Sequence, residues 1–263
     1  MHIPFGTSYN IYGFIDTKNA SSVDSVALAG KFEFLAGGTE MAFSAWDKKS
    51  LHPVFGYDVS TRLAGIDIAA ELAVSGGSNA FSMKEENGML DKAKSNDWQT
   101  RLCIDIGRDF DFFAIPRGFS VTGSFYYNGP GYGDNMFADT TQYQFKNSIT
   151  VVGPSGTSVV KTQGTKADFL LETNLYEQHN YSKYYAALFT TINRFFFSSL
   201  SASCNVVWNI PQKSGILSTG LTYMSLNEFF TGFLINGYIG KKNTEYTFQN
   251  QALSLQITAG VTF

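Results

Sequence analysis

The charged side chains in the first half of this chain obey a rule of parity. Lys31 and Glu33, Asp58 and Arg62, Asp67 and Glu71, and Arg101 and Asp105 stand two or four residues apart, with apolar residues alternating between and around them. Glu40 stands in the same way beside Met41 and Phe43. In an extended chain successive side chains point to opposite faces, so these nine groups line one face of their strands and apolar groups the other. Six acids against three bases leave that face negative, and the chemistry it can do is electrostatic: it favours cations or zwitterions over anions. The competing reading makes Lys31, Arg62 and Arg101 neutralise their acidic neighbours in a pairing network that fills a narrow interior.

Bond-making chemistry has few carriers. The three histidines are His2, His52 and His179, and the last two fall in predicted loops, where a hydrolase would need one of them as general base beside a serine. No spacing in the chain matches such a motif, and the plainer reading is two solvated loop histidines. Gly129-Pro130-Gly131-Tyr132-Gly133-Asp134 looks like a phosphate loop but has no helix pattern and no Lys-Ser/Thr behind it, so it reads as a flexible rim turn. Glu85, Glu86, Asp91 and Asp97 are interspersed with Lys84, Lys92 and Lys94 and match no calcium loop. Cys103 and Cys204 have opposite facing, so neither a disulfide nor a metal site is expected. No cofactor is expected, and no metal.

The elements that must position the charged face are strands. Alternating runs occur at 8–15, 25–35, 39–46, 54–63, 66–75, 98–107, 118–128, 183–193, 196–208, 216–225, 229–240 and 252–263. Their connections alternate in length. Ala36-Gly37-Gly38, Ala64-Gly65, Asn193-Arg194-Phe195 and Leu226-Asn227-Glu228 are short and 108–117 is middling, whereas 16–24, 47–53, 76–97, 129–182, 209–215 and 241–251 are longer and polar. Within 140–182 a hairpin about Gly153-Pro154-Ser155-Gly156 would raise the count to fourteen if it spanned a membrane. Lys146, Lys161, Lys166 and Asp168 within 143–172 argue instead for a hairpin in or over the mouth, and 166–179 could form a short helix. Asn236-Gly237 is a hairpin dipeptide placed inside a strand, which is kept because no other turn restores the parity.

The last strand is strictly two-faced: Leu253, Leu255, Ile257, Ala259, Val261 and Phe263 alternate with Ser254, Gln256, Thr258, Gly260 and Thr262. Mean hydropathy is −0.08, and no apolar run approaches the roughly 20 residues that a membrane helix needs. A strand that shows only alternate residues to lipid keeps the mean near zero. With 16% aromatic and 16% charged residues and a net charge of −3, nucleic acid is not an expected partner. The terminal-Phe strand resembles the last-strand signature of bacterial outer-membrane β-barrels, read by the barrel-assembly machinery, and the architecture resembles small porins. That resemblance implies an all-β antiparallel up-and-down barrel of about twelve strands with both termini periplasmic. It also implies one domain over 1–263, and 129–182 as a long extracellular loop at the barrel mouth. Met1-His2-Ile3-Pro4-Phe5-Gly6 carries no export signal within this numbering. The function expected is passive diffusion of small polar or cationic solutes along a lumen lined by Lys31, Glu33, Glu40, Asp58, Arg62, Asp67, Glu71, Arg101 and Asp105. The alternatives are a non-conducting barrel displaying its loops to partners, and an outer-membrane lipid hydrolase. The expected partners are the bilayer, the assembly machinery and the permeating solutes.

Overall fold

The computed structural model describes residues 2–5, 8–17, 22, 25–113, 115–152, 156, 158–224 and 229–261. The turns expected at Leu226-Asn227-Glu228 and Gly153-Pro154-Ser155, and the terminal Phe263, lie outside these. Along the chain run β1 (His2–Phe5), β2 (Tyr9–Asp16), β3 (Ala27–Ala36), β4 (Thr39–Lys48), β5 (Val54–Leu63), β6 (Ile66–Ser75), β7 (Ser82–Glu86), β8 (Met89–Ala93), β9 (Gln99–Phe112) and β10 (Ile115–Asn128). They are followed by β11 (Tyr143–Val152), β12 (Ser158–Gly164), α1 (Lys166–Glu172), β13 (Tyr184–Ile192), β14 (Leu200–Asn209), β15 (Ser214–Met224), β16 (Phe229–Ile239) and β17 (Leu253–Val261).

The large sheet takes thirteen strands in sequence order, β1 to β6, β9, β10 and β13 to β17, every pairing antiparallel. Twelve correspond to the twelve alternating runs, and the thirteenth is the four-residue β1, which the sequence did not announce. Asn236 sits in mid-strand opposite Ser218 and Ser254, so Asn236-Gly237 is no turn. The 108–117 link is shorter than expected: β9 runs to Phe112 and β10 begins at Ile115. β14 begins at Leu200, four residues later than the pattern suggests, because 193–199 forms the turn. The tightest links follow from chirality. At Gly37-Gly38 and Ala64-Gly65 both residues have positive φ, as a two-residue hairpin turn matching strand twist requires.

A second sheet, in the order β12, β11, β8, β7, lies outside the first and combines two long connections. The β7/β8 hairpin occupies 76–97, which reads in sequence as plain polar loop. The β11/β12 hairpin belongs to this sheet and not to the large one, so it adds no strand to a wall of fourteen. It joins β8 through the parallel pairs Gln144 with Met89 and Phe145 with Leu90. Here lies most of the buried apolar material. Leu90, Phe145 and Phe169 form one cluster, and Phe137, Leu170 and Tyr181 another. In the large sheet the buried apolar residues are Ala27, Ala42 and, at the rim, Tyr185. Its outward face is bare: Phe43, Phe55, Leu63, Leu255 and Ile257 are all exposed, Ile257 to 70%. A water-soluble domain buries such a face, since monomers seldom expose apolar patches beyond a few hundred Å².

Candidate functional site: the charged concave face

Cross-strand register decides which side chains share a level. One row on the inner face reads Lys31, Ser44, Gly56, Ala73, Arg101 and Asn128 across β3, β4, β5, β6, β9 and β10. The next reads Glu33, Ala42, Asp58, Glu71, Cys103 and Tyr126. Between the two bases of the first row stand only Ser44, Gly56 and Ala73. These small residues leave a recess of about 470 Å³, which touches residues of seven neighbouring strands from β2 to β10. Seven flat strands would span about 29 Å at the usual spacing. Tyr12 and Tyr126, on strands at the two ends of that span, line the same recess, as in a sheet that curls toward itself.

Lys31 is committed, with its ammonium 3.5 Å from Glu33 and 3.4 Å from Asp58. Asp58 faces Glu71 directly across the β5/β6 pair, a juxtaposition of like charges that Lys31 relieves on one side only. Arg62 pairs with Asp67 at 3.3 Å beside the β5/β6 turn. Asp105 accepts a hydrogen bond from Ser124. Arg101 donates Nε–H to Asn128 Oδ1 at 3.2 Å. Among the described residues neither Glu71 nor Arg101 has an ion-pair partner. A second recess of about 390 Å³, toward the short turns, is lined by Glu40, Arg62, Asp67 and Asp105. All nine charges expected on one face are therefore on one face, some as a network and some not.

The inner face carries groups that the sequence reading did not single out. Asp109 lies on the same parity and accepts from Ser120 at 2.8 Å; it was missed because the predicted strand stopped at 107. Tyr126 and Trp46 line the larger recess and were hidden as aromatics among many. On β14 to β17 the inner wall is uncharged: Ser218 donates to Asn236 at 2.7 Å and Asn236 to Ser254 at 3.1 Å. Cys103 and Cys204 are both free thiols.

The long connections pack over one end of this face. Tyr126 donates its hydroxyl hydrogen to Asn180 Oδ1 at 3.0 Å, and Asn128 Nδ2 donates to the Asn180 carbonyl at 2.7 Å. Gly129 and Gly131 lie so close to the Thr100 and Ser182 backbones that any Cβ would collide; this segment is a tight packing device, not a free rim turn. Glu245, 1% exposed, accepts from Asn209 at 2.6 Å, from the Tyr185 hydroxyl at 2.9 Å and from the His179 backbone N–H at 2.9 Å. Burial pushes its carboxyl above the usual range, against the pull of those donors. His179 Nδ1 lies 2.8 Å from the Tyr246 hydroxyl, and burial lowers its pKa. Asn79 hydrogen-bonds to both backbone groups of His52. Among the described residues neither histidine ring hydrogen-bonds a serine hydroxyl. The loop acids are taken up by lysines, Glu85 by Lys166 and Asp91 by Lys146, both at 2.8 Å, and no cluster of metal ligands occurs among the described residues.

No family model and no curated protein matches the chain. Among solved structures it is similar to the siderophore receptor PirA from Pseudomonas aeruginosa, with 12% identity and a TM-score of 0.44 over 100% of this chain and 49% of that one. It is also similar, at 8% identity and a TM-score of 0.32, to a chain from work on the in-meso crystallization of membrane proteins, over 97% of this chain and 83% of that one. The chain spans about half the length of the receptor. The antiparallel up-and-down wall, charged on one face and apolar on the other, meets a separately packed cap at one end.

Proposed function

We propose that the large sheet, whose edge strands β1 and β17 are not paired with each other among the described residues, closes as an outer-membrane β-barrel and passes small polar or cationic solutes by diffusion along its charged inner face. The observation that carries this reading is the division of the wall between an exposed apolar face and a face that gathers the nine expected charges and Asp109, with their ion pairs. Lipid outside and water inside is the solvent arrangement that makes both faces favourable. The inner surplus of acid, set in low-dielectric surroundings, favours cations. Insertion would engage the barrel-assembly machinery, with the cap on the outer side and the short turns in the periplasm.

The packed cap favours a second reading, a barrel whose lumen is closed and whose cap meets a partner. Single-channel recording in a planar bilayer under a salt gradient separates the two. Steady steps with a cation-selective reversal potential, weakened in Glu71→Gln, support the channel. Silence from the whole chain, with conductance restored when 129–182 is shortened, makes the cap a plug. Silence from both overturns the channel.

A further inference from the structure

The larger recess has a charge layout that the channel reading does not use. Lys31 and Arg101 both line it, Gly56 and Ala73 are among the small residues between them, and Asp58 and Glu71 line it on the next level. Lys31 already serves Glu33 and Asp58. Arg101 is aimed by Asn128 through Nε alone, leaving both terminal nitrogens of its guanidinium for a carboxylate. Glu71 stands diagonally beside it, opposite Cys103, with no partner among the described residues. One unengaged base and one unengaged acid thus share a single recess. Phe14 and Trp46 line the same recess and offer apolar surface.

We propose that this recess binds a small zwitterion, an α-amino acid with an apolar or aromatic side chain, its carboxylate on Arg101, its ammonium on Glu71 and its side chain against Phe14 and Trp46. The assignment rests on the channel reading for its place in transport, though not for binding itself. Recognition through two opposite charges rejects solutes that carry only one of them, because the unmatched site group loses water without gaining a partner. The volume of about 470 Å³ falls in the range of small-molecule sites.

The test is calorimetric titration of the folded protein in detergent with L-phenylalanine, N-acetyl-L-phenylalanine and L-phenylalanine methyl ester, alongside swelling of proteoliposomes in glycerol and in L-phenylalanine. The expected result is saturable binding of the free amino acid, weakened tenfold or more for both blocked forms. Glu71→Gln and Arg101→Gln should each weaken it to the same degree, and Gly56→Val should abolish it by filling the recess while leaving every charge in place. Equal binding of all three compounds, or binding indifferent to both charge substitutions, overturns the site. Glycerol permeation without saturable amino-acid binding leaves the channel standing and rejects the site. Binding without permeation of either solute rejects the channel and keeps the site.

Discussion

Asp139 shows how a single carboxylate ties the cap together. It accepts the Thr141 backbone N–H at 2.9 Å and the Tyr143 hydroxyl at 2.8 Å, and it lies 3.4 Å from Lys166. The Thr141 bonds above all, then Tyr143 and Lys166, hold its pKa down from 3.8 to about 2. A folded-state pKa below the unfolded one adds stability that is complete above pH 4 and lost as pH falls toward 2. With partial solvent screening the amount is on the order of 1 kcal/mol. Protection of the cap amides, their exchange taken relative to the intrinsic rate at each pH, should therefore fall between pH 4 and pH 2 in the native protein, and this loss should be missing in Asp139→Asn. Glu245 has the opposite linkage, since burial raises its pKa; its contribution is present at low pH and declines as pH rises through the raised value. Glu245→Ala would strand three donors, those of Asn209, Tyr185 and His179, at a cost of about 3 kcal/mol. A melting curve of the cap that does not move in this variant would refute the network's role. None of this was legible in the sequence, where Glu245 is one acid in a polar stretch: its partners arrive from three other segments, and alternation reports only on neighbours.

At the scale of elements, α1 is seven residues long and its start is chemically explicit. Thr165 accepts the Asp168 backbone N–H at 3.1 Å, while Asp168 accepts the Thr165 backbone N–H at 2.9 Å, a reciprocal capping box. So short a helix has little stability of its own and depends on Phe169 and Leu170 being buried. Thr165→Ala should cost about 1 kcal/mol, read as faster exchange of the 166–172 amides with the wall strands unaffected. The wall strands were the most legible elements because strict alternation marks them, and at Gly37-Gly38 and Ala64-Gly65 the turn residues also permit the positive φ that the reversal needs. The β7/β8 hairpin escaped notice because Lys84, Glu85, Glu86, Asp91 and Lys92 overwrite its apolar period; its pairing is nevertheless continuous from Ser82–Ala93 to Glu86–Met89. The charged row was readable by parity alone, whereas the recess was not. It depends on Ser44, Gly56 and Ala73 falling level with Lys31 and Arg101, and register comes from pairing, which no single strand encodes.

The whole molecule divides its stabilisation between two environments. The wall has almost no buried apolar core of its own, and on the proposed reading lipid stabilises its outward face. A paired substitution on β17 tests this directly. Ile257→Lys places a charge on the apolar face and should cost about 2–4 kcal/mol near mid-bilayer, whereas Gln256→Lys, one residue away on the inner parity, should cost little. The yield of folded protein in lipid vesicles reads the difference, and equal yields would mean that the outward face does not meet lipid. The cap, by contrast, buries two compact apolar clusters and should melt as a unit of its own. Its attachment also imposes a timetable. Asn135 Nδ2 reaches the Asn243 carbonyl at 2.8 Å across 108 positions of chain, and Glu245 fastens the His179 segment across 66. Contacts so distant in sequence form late, because the intervening loops must close first. The rim therefore cannot lock until β13 to β16 have been laid down and the chain has turned toward its final strand. A polypeptide stalled one hairpin short would display an unfastened cap, a visible mark of incompleteness on the face turned to solvent.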